Sequence, residues 1–375
     1  MKHPIIAIVF IMALITAACS RDQSTYTVEV VDGVRHVHNL APLWGDEPKV
    51  ALEFVQQIGE LEGDDENYQF YRPGDIAVDS EGFLYVLERG DCQVKKFSKD
   101  GKYILTFGRK GQGPGEFGSP SFIETGQDNT IYVLDNSNMR IQKFTSEGKY
   151  MNSFRLNEFE GRFQINSENQ TIIERSYSSK MSLTEDDYTN SLIGILDDNG
   201  NVLKTFGTPI LFDIPLLQGF ANFIVMAQDS EYNLYVAFVM QNRIEKYANG
   251  QLIWTADRSI NFELFYEMQP RQLEIRGETV EVDYPAGSYV SPSIGIDHHN
   301  RIWVLTLQKE NSTENRDSDD YLKFEVFDPD GVLLYKVPFP DVRFDSVSIY
   351  NDRIYFVNPS QEMCVYEYKI VEQEQ

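Results

Sequence analysis

The chain has few of the residues that build reactive or metal-binding sites. Only three of its 375 residues are cysteines and five are histidines. It contains no HExxH, GxSxG or P-loop motif, and no cysteine has a partnered histidine to activate it. His36 and His38 share one face of a predicted strand, but a zinc site needs three or four ligands and no third is evident. We therefore expect no catalytic residue, no bound metal and no cofactor; calcium is compatible with the acidic composition but has no specific support.

Long hydrophobic runs are also absent, except near the N-terminus. Lys2 precedes an unbroken apolar run from Ile5 to Ile15, which is too short for a membrane span of about 20 residues. This order of features, followed by the small residues at 17 and 18, is typical of a secretory signal peptide over residues 1–18. The small-small-Cys ending is similar to the lipobox of bacterial lipoproteins, which predicts lipidation of Cys19. Thr16 stands where a lipobox usually has leucine, so an ordinary signal peptide is the alternative.

Positive charge is scarce. Lysine and arginine number 33 against 58 aspartates and glutamates, and the formal net charge is −25. Such a chain repels polyphosphates at long range, so we expect no nucleic-acid partner.

Two segments of the chain repeat each other. Residues 76–108 align without gaps in their cores to residues 122–154, which places Tyr85 opposite Tyr132. Each copy reads as four short β-branched and aromatic runs separated by turns such as Asp100-Gly101, and no segment has a helical period. Self-similarity at a fixed period predicts a propeller or a solenoid.

Weaker copies follow, beginning near residues 163, 223, 294 and 347, and the sixth copy ends before a fourth strand. An equivalent strand, Val50 to Ile58, precedes the first copy. We predict an all-β, six-bladed propeller of four-stranded blades over residues 50–371, closed when this N-terminal strand completes the last blade. Residues 19–49 would form a tether, in which residues 24–49 are either an extra strand or a linker from the membrane.

The copies AVDSEGFLYV…QVKKFSKDGKYILTFG and TIYVLDNSNMRIQKFTSEGKY resemble NHL repeats, as does the linker GRKGQGPGEFGSP. With its signal, the chain looks like the six-bladed β-propeller lipoproteins common in Bacteroidota. That resemblance implies an exported protein held at the outer membrane by its lipid anchor, on either the periplasmic or the surface side. It implies no single activity, because related propellers include lactonases, peptide-amidating lyases and binding platforms.

The loops that join one blade to the next are long and rich in aromatic residues. A mostly polar residue stands just before each first strand and would ring the channel mouth, where aromatic and polar groups together suit sugar or peptide binding. The alternative is that the aromatic loops pack on each other and cover the blade ends. The candidate ligand-binding residues are Tyr68, Tyr71, Arg72, Arg162, Phe220, Asn222, Tyr266, Tyr289, Ser291 and Asp345.

These observations favour a monomeric binding or scaffold module whose partner is a glycan, a peptide or an envelope protein. The alternative is a metal-dependent hydrolase or lyase, lactonase-like or peptide-lyase-like, with its site at the channel mouth. The first strands carry mainly apolar residues, which argues against metal in the channel. Cys92 and Cys364 occupy equivalent points of neighbouring blades, and that separation argues against a disulfide.

Overall fold

The computed structural model describes residues 24–61, 63–156, 161–175, 191–275, 278–316, 318 and 320–373. The predicted signal peptide and Cys19 lie outside these residues. Within the described part of the chain, no helix is long and apolar enough to cross a membrane.

Six antiparallel four-stranded blades follow one another around a central channel, and blades 1 to 5 each use four strands in chain order. The strands of blade 1 are β4 (Pro73–Val78), β5 (Leu84–Glu88), β6 (Gln93–Phe97) and β7 (Tyr103–Phe107). Those of blade 2 are β8 (Pro120–Thr125), β9 (Ile131–Asp135), β10 (Arg140–Phe144) and β11 (Tyr150–Arg155). Those of blade 3 are β12 (Phe163–Ile165), β13 (Thr171–Glu174), β14 (Ile193–Leu196) and β15 (Val202–Phe206).

The second half of the ring follows the same plan. Blade 4 has β16 (Ile224–Gln228), β17 (Leu234–Phe238), β18 (Arg243–Ala248) and β19 (Gln251–Arg258). Blade 5 has β22 (Ser293–Asp297), β23 (Ile302–Leu307), β24 (Leu322–Phe327) and β25 (Leu333–Pro338). Blade 6 has β26 (Ser346–Asn351), β27 (Arg353–Asn358) and β28 (Cys364–Glu372) from the C-terminal end of the chain.

The fourth strand of blade 6 is β3 (Val50–Ile58), which pairs antiparallel with β28 from Glu372 opposite Val50 to Val365 opposite Ile58. The N-terminal strand therefore closes the ring as predicted, because it completes blade 6 as its fourth strand.

A second N-terminal element widens blade 4. Strands β1 (Tyr26–Val31) and β2 (Val34–Asn39) form a hairpin, and β2 joins β19 in parallel register. The Asn39 side chain, which is 2% exposed, donates to the carbonyls of Asp257 and Gly331 and accepts from the Leu333 amide. These bonds hold the hairpin at the junction of blades 4 and 5.

The turn after the first strand is held by an aspartate in blades 1, 4 and 5. In blade 1, Asp79 accepts from the backbone amides of Glu81 and Phe83 and from the Tyr85 hydroxyl. Blades 4 and 5 use Asp229 and Asp297 in the same way, with Tyr235 and Trp303 as the aromatic donors. A short polar side chain that satisfies turn amides explains the aspartate at this position. We call this side of the ring the turn face.

The opposite side, called the loop face here, carries the connections between blades. It also carries a short helix, α1 (Pro215–Ala221), and a hairpin of β20 (Tyr266–Ile275) and β21 (Glu278–Gly287). The sequence did not predict α1, because seven residues are too few to show a helical period. Cys92 and Cys364 are both buried and free.

Candidate functional site

The first strands of all six blades enclose a cavity of about 390 Å³, which is the central channel of the propeller. It extends from Asp75 and Arg162, near the loop face, to Asp229 and Asn300 in turns of the turn face. Carboxylates, amides and a guanidinium line it together with apolar side chains. The apolar first-strand residues expected in the wall, among them Ile123 and Val225, do line the cavity, but that expectation missed polar residues such as Asp75.

Asp75 is a deeply buried carboxylate of the channel wall, with 3% exposure. Its Oδ2 accepts from the Ile123 amide of blade 2 at 3.0 Å. Its Oδ1 is buried without a hydrogen-bond partner and lies 3.6 Å from Nη1 of Arg162. Burial raises the pKa of Asp75, and the charge of Arg162 opposes that rise. One oxygen of this side chain thus fixes the blades, and the other is left without a donor.

Glu124 lies on the same wall and accepts from Nε2 of Gln164 at 2.6 Å, which links blades 2 and 3. Burial raises the pKa of Glu124 to about 8, with a smaller contribution from the charge of Asp75. Glu174, at the end of β13, accepts from the Ile224 amide of blade 4, and burial raises its pKa to about 7. Burial therefore favours the protonated form of Glu124 near neutral pH.

Many of these polar side chains have a structural reason to be there. Inner strands of neighbouring blades leave backbone groups facing each other, and buried backbone groups need partners. Gln228 donates to the Ile165 carbonyl, Ser293 to that of Val347, and Tyr350 to that of Ile76. Polarity alone does not mark a ligand site. The informative atoms are Oδ1 of Asp75, which has the 3.6 Å ion pair with Arg162 but no hydrogen-bond donor, and Oε1 of Gln228, which also has none.

Three arginines meet at the loop-face end of the channel. The Arg89 amide donates to the Arg72 carbonyl at 3.1 Å, which places these residues side by side. The guanidinium groups of Arg89 and Arg162 lie 5.9 Å and 5.0 Å from the ring centre of Phe122. Asp345 is close enough to influence the pKa of Arg89. Three predicted residues, Arg72, Arg162 and Asp345, therefore gather here around Arg89, which the sequence did not single out.

Other predicted residues have partners within the protein. Asn222 is 3% exposed and bonds to the amide and carbonyl of Ile210 and to the carbonyl of Gln218. Ser291 is fully buried and accepts from the guanidinium of Arg258. Both side chains hold loops rather than facing the channel.

Four of the predicted aromatic residues pack against other parts of the protein, in the long loops and in blade 1. Phe220 packs edge-on against Tyr289, with ring centres 6.5 Å apart, and the Tyr266 hydroxyl donates to the Met240 carbonyl. Tyr68 packs near Phe97 in blade 1. These contacts match the alternative in which aromatic loops cover the blade ends.

Tyr71 is different, because it is 56% exposed beside Arg72. Its backbone amide donates to Glu88 at 2.7 Å, which fixes the main chain while leaving the ring in solvent.

No group of three histidine, cysteine, aspartate or glutamate side chains comes close enough to hold a metal ion among the residues that the structure describes.

Comparison with known proteins agrees with this architecture. A putative exported protein from Bacteroides fragilis aligns with a TM-score of 0.56 at 10% identity, covering 87% of this chain and 96% of that one. A DUF4221 family member from Bacteroides vulgatus gives 0.55 at 11% identity, with 87% and 99% coverage. A PQQ-bound aldose sugar dehydrogenase from Streptomyces coelicolor gives 0.50 at 14% identity, with 88% and 100% coverage. At such identities the likeness concerns the fold alone.

A search of curated protein sequences finds no match. The family DUF5128, described as a 6-bladed beta-propeller, matches residues 60–270, which is more than half of the chain. The chain therefore belongs to this family of six-bladed β-propellers.

Proposed function

We propose that this protein is an exported binding module that takes up part of a glycan, a peptide or an envelope protein in its central channel. The observation that carries the proposal is the buried Oδ1 of Asp75, which lacks a hydrogen-bond donor on the wall of an open cavity. A buried acceptor without a partner costs free energy, and a ligand donor placed there would recover it.

The site differs from the one expected from sequence. The aromatic residues of the loop face mostly pack against the protein itself, whereas the channel and its arginine-lined end combine a cavity with convergent polar groups. Of the predicted residues, Arg162 belongs to the channel wall, and Arg72 and Asp345 stand at its end.

We further propose that lipidated Cys19 holds the propeller at the outer membrane. The support is the order of residues 1–19, together with the export suggested for the fold neighbour from Bacteroides fragilis. A single acyl chain binds a membrane only marginally, so a stable anchor requires more than one chain at this cysteine.

The alternative of a metal-dependent hydrolase or lyase has less support, because the described residues offer no three-ligand cluster. Calcium and zinc nevertheless belong in the test, since turnover that depends on either ion would overturn the binding proposal.

The test is a thermal-shift screen of the purified chain against mono- and oligosaccharides, short peptides and divalent ions. One ligand class should raise the melting temperature by several degrees, because a ligand that binds only the folded state stabilises it. The shift should disappear in Asp75→Asn and persist in the control Asp128→Asn, whose side chain is exposed and caps a turn. A panel without any shift, or a shift that survives Asp75→Asn, would refute the channel site.

A further inference from the structure

The loop-face end of the channel concentrates positive charge in a strongly acidic protein. Arg72, Arg89 and Arg162 meet there, while the chain as a whole carries a formal charge of −25. Facing carboxylates come from Asp75 and Asp345. Glu124 and Glu174, whose pKa values burial raises, also interact with the charge of Arg162. Among the described residues, and with these two glutamates protonated, three guanidinium groups against two carboxylates leave one net positive charge at this end.

Among the residues that the structure describes, the three guanidinium groups have few hydrogen-bond partners. Arg89 donates to the Ser121 carbonyl at 2.8 Å, and Arg162 approaches Asp75 only at 3.6 Å. Within the described part of the chain, the Arg72 guanidinium makes neither a hydrogen bond nor an ion pair. Burial lowers the pKa of Arg89; Asp75 opposes this effect, and the like charges of Arg162 and Arg72 add to it. An anion at this position would relieve that repulsion.

The backbone of Arg72 is also unusual. Its φ is +58°, in the left-handed region that a non-glycine residue rarely adopts. Its amide donates to Sδ of Met363 in blade 6, 3.3 Å away, so the neighbouring blade helps to hold this conformation. Strained residues of this kind cluster at functional sites, and glycine would occupy the same position without strain.

We infer that Arg72, Arg89 and Arg162 bind a carboxylate of the ligand, carried by an acidic sugar or by the C-terminus of a peptide. This inference rests on the proposed channel function and names its ligand chemistry. The guanidinium fork matches a carboxylate through two parallel hydrogen bonds. One net positive charge suits a monoanion, whereas a phosphate dianion would meet repulsion from Asp75 and Asp345.

The experiment is titration calorimetry of the purified chain with paired probes at low salt. Galacturonate is compared with galactose, and N-acetylalanine with N-acetylalaninamide, so that each pair differs in its carboxylate. Inorganic phosphate is the third anion. In at least one pair the carboxylate should bind at least tenfold more tightly than its neutral partner, and added sodium chloride should weaken it. The pair that responds identifies the source of the carboxylate, and phosphate should bind more weakly than that probe.

Two variants and two controls test the arginines. Arg162→Gln and Arg72→Gly should each weaken the carboxylate at least tenfold. Lys102→Gln removes one positive charge from an exposed turn-face position and should leave the affinity unchanged. Arg72→Gly should also melt no lower than the parent, because it removes left-handed strain. Tyr232→Gly makes the same backbone exchange at φ +62° on the turn face and should leave binding intact.

Separate outcomes overturn the two proposals. If neutral probes bind as well as their carboxylate partners, or if both arginine variants keep parental affinity, the carboxylate site is wrong while the channel function stands. Tighter binding of phosphate than of either carboxylate would overturn the monoanion assignment. If no probe binds and the wider thermal-shift screen also finds no ligand, both proposals fail. If one arginine variant melts well below the parent, the affinity of the other arginine variant decides the test.

Discussion

A buried ion pair joins blades 4 and 5, and its removal should destabilise the protein more than the loss of an exposed pair of the same length. Nε of Arg258 lies 2.6 Å from Oε2 of Glu325, and the two side chains are 1% and 0% exposed. Lys336 lies 2.8 Å from the other carboxylate oxygen. Burial lowers the pKa of Arg258, and Glu325 opposes that change by stabilising the charged guanidinium.

The perturbation is Glu325→Gln, which leaves Arg258 charged and enclosed without its carboxylate. Breaking a buried pair in this way costs about 3–5 kcal/mol of unfolding free energy, because the remaining charge cannot reach water. The control is Asp320→Asn, which breaks the 2.6 Å pair with Lys309, where the side chains are 61% and 38% exposed. An exposed pair of this kind contributes little to stability, because solvent screens its charges.

Urea unfolding followed by tryptophan fluorescence provides the assay, since Trp254 and Trp303 are fully buried in the two blades concerned. The double variant Arg258→Met with Glu325→Met removes both buried charges and should recover part of the loss. If Glu325→Gln costs no more than Asp320→Asn, the reasoning from burial is refuted.

Three further predictions concern the anchor, the hairpin and the channel. Cys19→Ser should move the chain from the membrane to the soluble fraction and abolish acyl labelling; continued membrane association would contradict lipidation. The hydrogen bond to Asp257 raises the pKa of His38 above 6.5. The bond should therefore stabilise the hairpin fully below about pH 6.5. That stabilisation should be lost as pH rises through the raised pKa of His38. A melting-temperature difference between His38→Gln and the parent that does not vary with pH would contradict this. Burial raises the pKa of Glu124 from 4.5 to about 8. As pH rises between those values, the parent should therefore lose stability relative to Glu124→Gln. Urea midpoints of the two proteins that differ by the same amount at every pH would contradict this.

The ring of blades could be predicted because local sequence features define its strands and turns. Turn residues such as Asp100-Gly101 punctuate strands of alternating polarity, and the missing strand of the last copy had one matching candidate at Val50 to Ile58. The position of the hairpin was not predictable, because β2 pairs with β19 more than 200 residues later and neither strand carries a pattern that selects the other. Tertiary packing, rather than a local sequence pattern, determines that β2 pairs in parallel with the edge strand of blade 4.

The residues that line the channel were harder to predict from the sequence than the ring of blades. Alternation separates residues on the two sides of a strand, but consecutive residues of one first strand, such as Phe122, Ile123 and Glu124, all line the channel. Alternation therefore does not select the channel residues. Asn222 and Ser291 stand before first strands like Arg162, yet they bond to Ile210 and Arg258, partners that sequence position does not reveal. The residues that precede the first strands thus predicted where the channel ends. Side-chain packing, which the sequence does not show, determines which of them reach the channel.

The most direct test of a ligand in the central channel is to fill the channel and measure binding. Ser348 lines the cavity and is 9% exposed, so Ser348→Trp would occupy space that a ligand needs, while Lys102→Trp places the same ring on an exposed turn. Ala227→Leu fills part of the cavity with a smaller side chain and serves if the tryptophan prevents folding. With the ligand found by thermal shift, calorimetry should show binding to Lys102→Trp at parental affinity and a loss of at least tenfold in the filled variants. Equal affinity in folded Ser348→Trp or Ala227→Leu and in Lys102→Trp would contradict the account.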